Sequence, residues 1–310
     1  QEEFADEYLG KANIVWHESI ADLVAISDLI FFAVQTPHEP QFEGSSPVPD
    51  ETQDFNYSHL VTAVASVLDQ LRSQPDKQVT LVVISTVLPG TMKSLILPML
   101  EEFGPRVRFC YNPFFIAMGT TIKDFTNPEF VLVGEHRIGD SELLEALYSQ
   151  IHESPLRRMK IESAELTKVA YNTFIGFKIV FANTLSEIVD ARGGDVDEVT
   201  EALTSATDRL ISGKYLRAGM ADGGGCHPRD QIAMSWLAKS AGLSSNIFDF
   251  LAHARDHQTA AQANFIFNES LSRGLPIVIM GRAYKANVNL DVGSPSLLLA
   301  SFLESLGARY

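Results

Sequence analysis

The sequence predicts an α/β chain built on a doubly wound parallel sheet, followed by a largely helical second domain. Short apolar runs alternate with helical patterns through the first half, the order expected of a parallel sheet covered by helices on both faces. One run, Leu29 to Val34, is apolar without a break, as a strand buried on both sides requires. From Glu162 the pattern changes to one long helix with no proline and a single glycine, Gly176. At 310 residues the chain exceeds one ordinary core, so two domains are the starting expectation.

Asn13 to Trp16 reads as a strand and Ile20 to Ala25 as a short helix, ahead of the strand Leu29–Val34. A loop from Gln35 to about Phe55 follows, rich in Pro, Gly, Ser and acid, and loops of that length inside a domain are usually functional or mobile. A helix near Tyr57 to Arg72, a strand Val79 to Ser85 and a helix beginning near Thr91 come next. Strands Val107–Cys110 and Phe130–Val133, a helix from Ser141 and a strand near Leu156 to Ile161 complete the half. In the helix Glu162–Ala191, apolar positions such as Leu166, Val169, Phe174, Phe177 and Leu185 recur at helical spacing over a wide arc. Such a helix is expected to be buried on several sides, by its own domain and by a second subunit. Gly193-Gly194 ends it. Further helices are expected around Asp197–Thr204, Pro228–Lys239 and Ser245–Leu271, then a strand Ile277–Gly281 and a helix Pro295–Leu306.

Composition narrows the function classes. Apolar residues make up 45% and charged residues 20%, which excludes disorder as the main state. A formal net charge of −15 repels polyanions, so nucleic acid is not an expected partner. No apolar run approaches the roughly 20 residues that span a bilayer, so no membrane partner is expected either. Two cysteines, Cys110 and Cys226, make no disulfide framework, and a reducing, cytoplasmic setting is the natural reading.

The densest chemical signal is Gly223-Gly224-Gly225-Cys226-His227-Pro228-Arg229-Asp230. The glycines permit close approach of backbone to a ligand. Pro228 suits the first turn of a helix, which sets Cys226 at an N-terminus whose dipole favours thiolate. The alternative is a structural turn holding an inert cysteine. Lys168 and Asn172 stand four residues apart on the long helix, hence on one face, where ammonium and amide together suit an oxyanion. A solvated polar stripe is the other reading of that pair. Gln35-Thr36-Pro37 and Ser85-Thr86-Val87-Leu88-Pro89-Gly90-Thr91 fall at carboxyl ends of predicted strands, where such sheets take ligands, or else are ordinary turns. His253 and His257 have helical spacing but no third ligand, so no metal is expected. No G-x-G-x-x-G occurs.

These segments, with Gly119 to Phe125, Ala164-Glu165-Leu166-Thr167-Lys168 and Gly281-Arg282-Ala283-Tyr284-Lys285, resemble the UDP-glucose/GDP-mannose 6-dehydrogenases in order and spacing. The resemblance implies a Rossmann-like sheet lacking its first β-α-β unit at residues 1–161. It implies a central helical dimerisation domain at 162–273 and the start of a second Rossmann-like, nucleotide-sugar-binding domain at 274–310. A chain cut at both ends is therefore expected, and with the phosphate loop missing, weak or absent binding of NAD+. The implied reaction is an NAD-dependent, two-step oxidation of a nucleotide sugar at C6. Cys226 would capture the aldehyde as a thiohemiacetal and then carry a thioester, while Lys168 and Asn172 stabilise the oxyanion and Asp230 orients lysine and water. Thr86 would hold water or nicotinamide. Cofactor contacts are implied at Thr36, Pro37, Ser85, Thr86 and Arg229. Substrate contacts are implied at Phe115, Ile116, Lys168, Asn172, Tyr215, Gly223 and Lys285, with a homodimer formed through the long helix. Two family carboxylate positions are apolar here, Phe114 and Met118, so slow release of the thioester is expected. The family's arginine after Lys285 reads Val292 or Gly293, and its glycine-phenylalanine reads Ala221-Asp222. Two other readings stay open: a single-step hydroxyacid-type dehydrogenase and a catalytically silent dimeric scaffold.

Overall fold

A computed structural model describes residues 13–37, 54–116, 120–211, 220, 239, 242–283, 291 and 293–310. The described residues group into two compact units, Gln1–Phe174 and Ile175–Tyr310.

The first unit holds a five-stranded sheet in sequential order: β1 (Leu29–Phe32), β2 (Val79–Val83), β3 (Val107–Tyr111), β4 (Val131–Glu135) and β5 (Leu156–Lys160). Helix α1 (Ile20–Ile26) precedes β1 and is capped by Ser19, whose hydroxyl accepts from the Asp22 amide. Helix α2 (Ser58–Arg72) crosses from β1 to β2 and buries Leu60, Val64, Val67, Leu68 and Leu71, a stripe at helical spacing. A π-helical turn, Met92–Ile96, runs into α3 (Leu97–Leu100), which leads back to β3.

β1, β2 and β3 pair in parallel, with Leu29 opposite Thr80 and Val79 opposite Val107. All five residues of β2 are buried. Leu81 and Val83 face the core under α2, whereas Val82 and Cys110 pack on the other side with Val131, Val133, Leu144 and Tyr148. Alternate residues of the same strands thus enter two cores, which is what doubly wound means in side-chain terms.

The expected parallel sheet is present, with one antiparallel seam. β4 runs antiparallel to β3, with Tyr111 opposite Gly134, and β5 then pairs parallel to β4. Among its described residues the link between β3 and β4 holds one short helix, α4 (Thr121–Thr126), with no long crossover helix to carry the chain back for a parallel strand, and β4 pairs beside β3 in the opposite direction. Residues 112–116 are thereby held at the carboxyl end of the parallel strands. Helix α5 (Glu142–Tyr148) joins β4 to β5.

α6 (Ile161–Arg192) follows β5 directly and stops where the Gly193 amide donates to the Val189 carbonyl at 2.7 Å. Its first turn lies so close to β4 that a Cβ on Gly134 would sit 2.8 Å from the Ile161 Cα and 3.0 Å from the Ala164 Cβ. The second unit contains α7 (Val196–Thr204), α8 (Ile247–Arg273) and α9 (Pro295–Ser305). α9 packs on α8 through Ala263, Leu299 and Leu303.

Two expected strands are corrected. Asn13–Trp16 is irregular, with Trp16 78% exposed, and Ile277–Gly281 is irregular rather than a sheet strand. Ile277 turns inward while Val278 and Met280 lie 70% and 90% exposed, so the alternation of a strand is present without a described partner to make it one. Among the described residues no helix is long and apolar enough to cross a membrane.

Candidate active site at the carboxyl ends of the strands

The ends of β1 and β2 are tied together by hydroxyls. The Thr36 Oγ1 donates to the Thr86 carbonyl at 2.7 Å, and the Ser85 Oγ donates to the Val34 carbonyl. Ser85 is buried, and Thr36 and Thr86 are half-buried, beyond the carboxyl ends of these strands. Pro37, half-buried, closes this segment, and its carbonyl accepts from the Asn56 amide at 2.8 Å.

At the end of β3, Asn112 is fully buried. Its Nδ2 donates to the Leu132 carbonyl at 2.8 Å, and Tyr148 donates its hydroxyl to Asn112 Oδ1. This anchor fixes the start of the segment that carries Phe114, Phe115 and Ile116. The Phe114 ring turns away onto Phe125, with centroids 5.3 Å apart. Ile116 is 42% exposed.

α6 brings Lys168 to this segment. The residue is 8% exposed, its Nζ donates to the Phe114 carbonyl at 2.8 Å, and the ammonium lies 4.8 Å from the centre of the Phe115 ring. Phe115 is itself wedged between Phe130 and Tyr171, at 5.0 and 4.7 Å. Burial pushes the Lys168 ammonium below the usual lysine range. Such a donor, desolvated and held by a rigid helix, interacts with an anion far more strongly than a surface lysine does. Asn172, one turn further along α6, is exposed.

Sequence reasoning assigned no role to Glu165, Asn112 or Tyr148. Glu165 is completely buried, and its two oxygens accept from the amides of Gly90 and Met92 at 2.6 and 2.8 Å. Burial raises its carboxyl above the usual range, against the lowering effect of those two amides. Its position three residues before Lys168 was the available signal, since i and i+3 share a helix face.

Cys110 is fully enclosed in the sheet, and burial, with Asp140 and Glu135 adding to it, pushes its thiol far above the usual range. That makes it an inert structural cysteine. Cys226, Arg229, Asp230, Tyr215, Gly223, Lys285 and Met118 lie outside the described residues.

The sequence matches the UDP-glucose/GDP-mannose dehydrogenase family, NAD binding domain, over residues 2–152, and the central domain of the same family over residues 162–256. It is 29% identical over 292 residues to GDP-mannose 6-dehydrogenase of Pseudomonas putida, covering 93% of this chain and 63% of that one. It is 27% identical over 302 residues to UDP-glucose 6-dehydrogenase TuaD of Bacillus subtilis, covering 96% and 61%. Among solved structures, a ternary complex of GDP-mannose dehydrogenase from Pseudomonas aeruginosa superimposes with a TM-score of 0.80 at 27% identity, over 94% of this chain and 64% of that chain. The chain thus spans just over three fifths of the length of these relatives. Two consecutive domains of one family, matched in order and carried on the fold of a solved relative, place this chain in the UDP-glucose/GDP-mannose dehydrogenase family.

Proposed function

We propose that the protein is a nucleotide-sugar 6-dehydrogenase that oxidises the sugar C6 alcohol to a carboxylate in two steps, with NAD+ as oxidant. The observation that carries this reading is Lys168. On a chain matching both family domains in order, it sets a buried ammonium at the carboxyl edge of the sheet, against Phe114 and Phe115. The strand-end hydroxyls of Thr36, Ser85 and Thr86 fit a cofactor rich in ribose and amide groups, at the edge where parallel sheets take such ligands. Thr36, Pro37, Ser85, Thr86 and Arg229 would hold NAD+, which supplies the hydride acceptor for each oxidation.

In this scheme the first oxidation leaves an aldehyde. The Cys226 thiolate adds to its carbonyl carbon, and the resulting oxyanion takes a hydrogen bond from Lys168 and Asn172. Loss of hydride from that thiohemiacetal gives a thioester. Water then attacks the acyl carbon, the C–S bond breaks, and thiol and uronate are released. Asp230 would orient Lys168 and the water. With Cys110 sealed in the sheet, Cys226 is the cysteine left for this role. Phe115, Ile116, Tyr215, Gly223 and Lys285 would line the sugar-nucleotide side. Phe114 supplies only its carbonyl, to Lys168, while its ring packs on Phe125. The hydrolytic step is accordingly the slow one.

Residues 1–161, 162–273 and 274–310 would serve as NAD-binding, central and nucleotide-sugar-binding parts in a cytoplasmic homodimer joined through α6, which exposes Leu166 and Phe174 by 56% and 46%. A stable monomer at micromolar concentration in sedimentation would remove the dimer from the proposal. The test of activity is NADH formation by protein expressed from its whole gene, given NAD+ and a panel that includes GDP-mannose and UDP-glucose. Turnover with one of them is expected. Absence of NADH with every nucleotide sugar would refute the reading.

A further inference from the structure

Glu165 is a fully buried carboxylate that the scheme above leaves without a task. A charge is held in such a place only where hydrogen bonds replace its water. Both oxygens have them: Oε2 accepts from the Gly90 amide at 2.6 Å and Oε1 from the Met92 amide at 2.8 Å. These amides open the helical segment that continues as Met92–Ile96 and α3, so they are donors with no partner inside the helix. Gly90 has φ of +94°, a conformation that L side chains rarely adopt, and this lets the turn present its amide to the carboxylate.

The same turn is tied on its other side. The Leu88 amide donates to the Tyr57 hydroxyl at 3.1 Å, Thr91 Oγ1 donates to the Leu88 carbonyl at 2.7 Å, and Thr36 Oγ1 donates to the Thr86 carbonyl at 2.7 Å. The stretch from Thr86 to Met92 is therefore fixed at one end by Thr36, in the segment after β1, and Tyr57, the N-cap of α2, and at the other by a single residue of α6. On α6, three residues beyond Glu165, Lys168 reaches the segment after β3. The first two turns of one helix thus tie the loop after β2 and the loop after β3 to a common rigid body.

We infer that Glu165 is a positioning residue for the oxidation. It holds the Thr86–Met92 turn in register with Lys168, so that the Thr86 hydroxyl and the Lys168 ammonium keep a fixed separation through both hydride transfers. It acts through the turn and makes no contact with substrate or cofactor. This role rests on the dehydrogenase reading proposed above.

The test is Glu165→Gln in protein expressed from its whole gene. The amide keeps the shape but turns one acceptor into a donor facing a backbone N–H. Expected is a fall in kcat for NADH formation of roughly tenfold to a hundredfold, the scale that a misplacement of about 1 Å produces, with KM for the nucleotide sugar unchanged. Peptides covering 86–92 should exchange amide hydrogens faster than in the parent, while peptides from β2 and β3 keep the parent's rate. If Glu165→Gln fails to fold, Glu165→Asp, with both acceptors on a stem one methylene shorter, carries the same test with a smaller loss of kcat. A variant whose kcat equals the parent's overturns the role, as does a loss confined to KM or unchanged exchange at 86–92. A parent that makes no NADH with any nucleotide sugar overturns the dehydrogenase reading and this role together, which separates the two failures.

Discussion

Replacing Gly134 by alanine tests how closely α6 must approach the sheet. The new Cβ would lie 2.8 Å from the Ile161 Cα, 3.0 Å from the Ala164 Cβ and 3.4 Å from the Ile161 Cγ1. Carbon atoms pack at about 3.5–4.0 Å, so α6 or β4 must yield by roughly 0.5–1 Å. The two nearest atoms are a backbone carbon and a Cβ, which cannot swing aside as the end of a flexible side chain could. Overpacking of this kind costs about 1–3 kcal/mol. Any displacement of the first turn of α6 is inherited by Glu165, whose amide contacts are 2.6 and 2.8 Å long, and by Lys168 at 2.8 Å from the Phe114 carbonyl. Gly134→Ala should therefore lower the urea midpoint by the equivalent of about 1–3 kcal/mol at an unchanged m-value. It should also reduce kcat by more than the loss of folded protein explains. Stability within about 0.5 kcal/mol of the parent, the range of ordinary surface substitutions, would refute the packing argument. Lost stability with undiminished kcat per folded molecule would refute the link from packing to catalysis.

Three further outcomes follow from the same geometry. Tyr148→Phe leaves the buried Oδ1 of Asn112 without its hydroxyl donor and should cost about 1–3 kcal/mol of unfolding free energy in a denaturant titration; an unchanged midpoint would contradict the anchoring role of Asn112. Lys168→Met should abolish most NADH formation and also change the pH dependence of stability. Because burial lowers the folded-state pKa of Lys168 below the ordinary lysine value of 10.5, the unfolded chain binds the extra proton between the two values, and the parent gains stability as pH rises through that window. The stability difference, methionine variant minus parent, should accordingly fall as pH rises toward 10.5, and a difference independent of pH would contradict the desolvated state of the ammonium. Alkylating agents should leave Cys110 unmodified in the native protein, since burial suppresses its thiolate; rapid native-state labelling at Cys110 would place it wrongly.

The elements that were legible in the sequence are those whose burial leaves a periodic mark. β2 is buried at every position and its sequence is an unbroken β-rich run, and α2 buries a helical stripe from Leu60 to Leu71. Helix α6 was bounded within a residue or two because nothing breaks it before Gly193. Strand direction leaves no such mark: β4 is as apolar as the parallel strands β1 and β2, yet it runs antiparallel to β3. The segments at 13–16 and 277–281 carry strand composition, but a strand exists only with a partner, and composition does not say whether one is at hand. At the site, Lys168 and the Thr36 and Ser85–Thr86 turns were readable as polar residues at strand ends or on one helix face. The aromatic bed under Lys168 was not, because Phe115, Phe130 and Tyr171 are far apart in sequence and meet only when β3, β4 and α6 converge. Glu165 stands inside the segment Ala164–Lys168 that carries the resemblance, but its burial follows from a turn 75 residues earlier, which its own neighbours do not announce.

Under the proposed function, oxidation proceeds through a sulfur-bound acyl group on Cys226. The most direct test mixes protein expressed from its whole gene with NAD+ and the nucleotide sugar that gives turnover, quenches early, and reads the mass of the Cys226 peptide beside the NADH formed. A uronyl thioester on Cys226 is expected to accumulate if hydrolysis is the slow step as proposed, with two NADH for each sugar bound. Uronate formed at the parent rate by a Cys226→Ala variant, or two NADH per sugar with no mass added to Cys226 at any quench time, would contradict it.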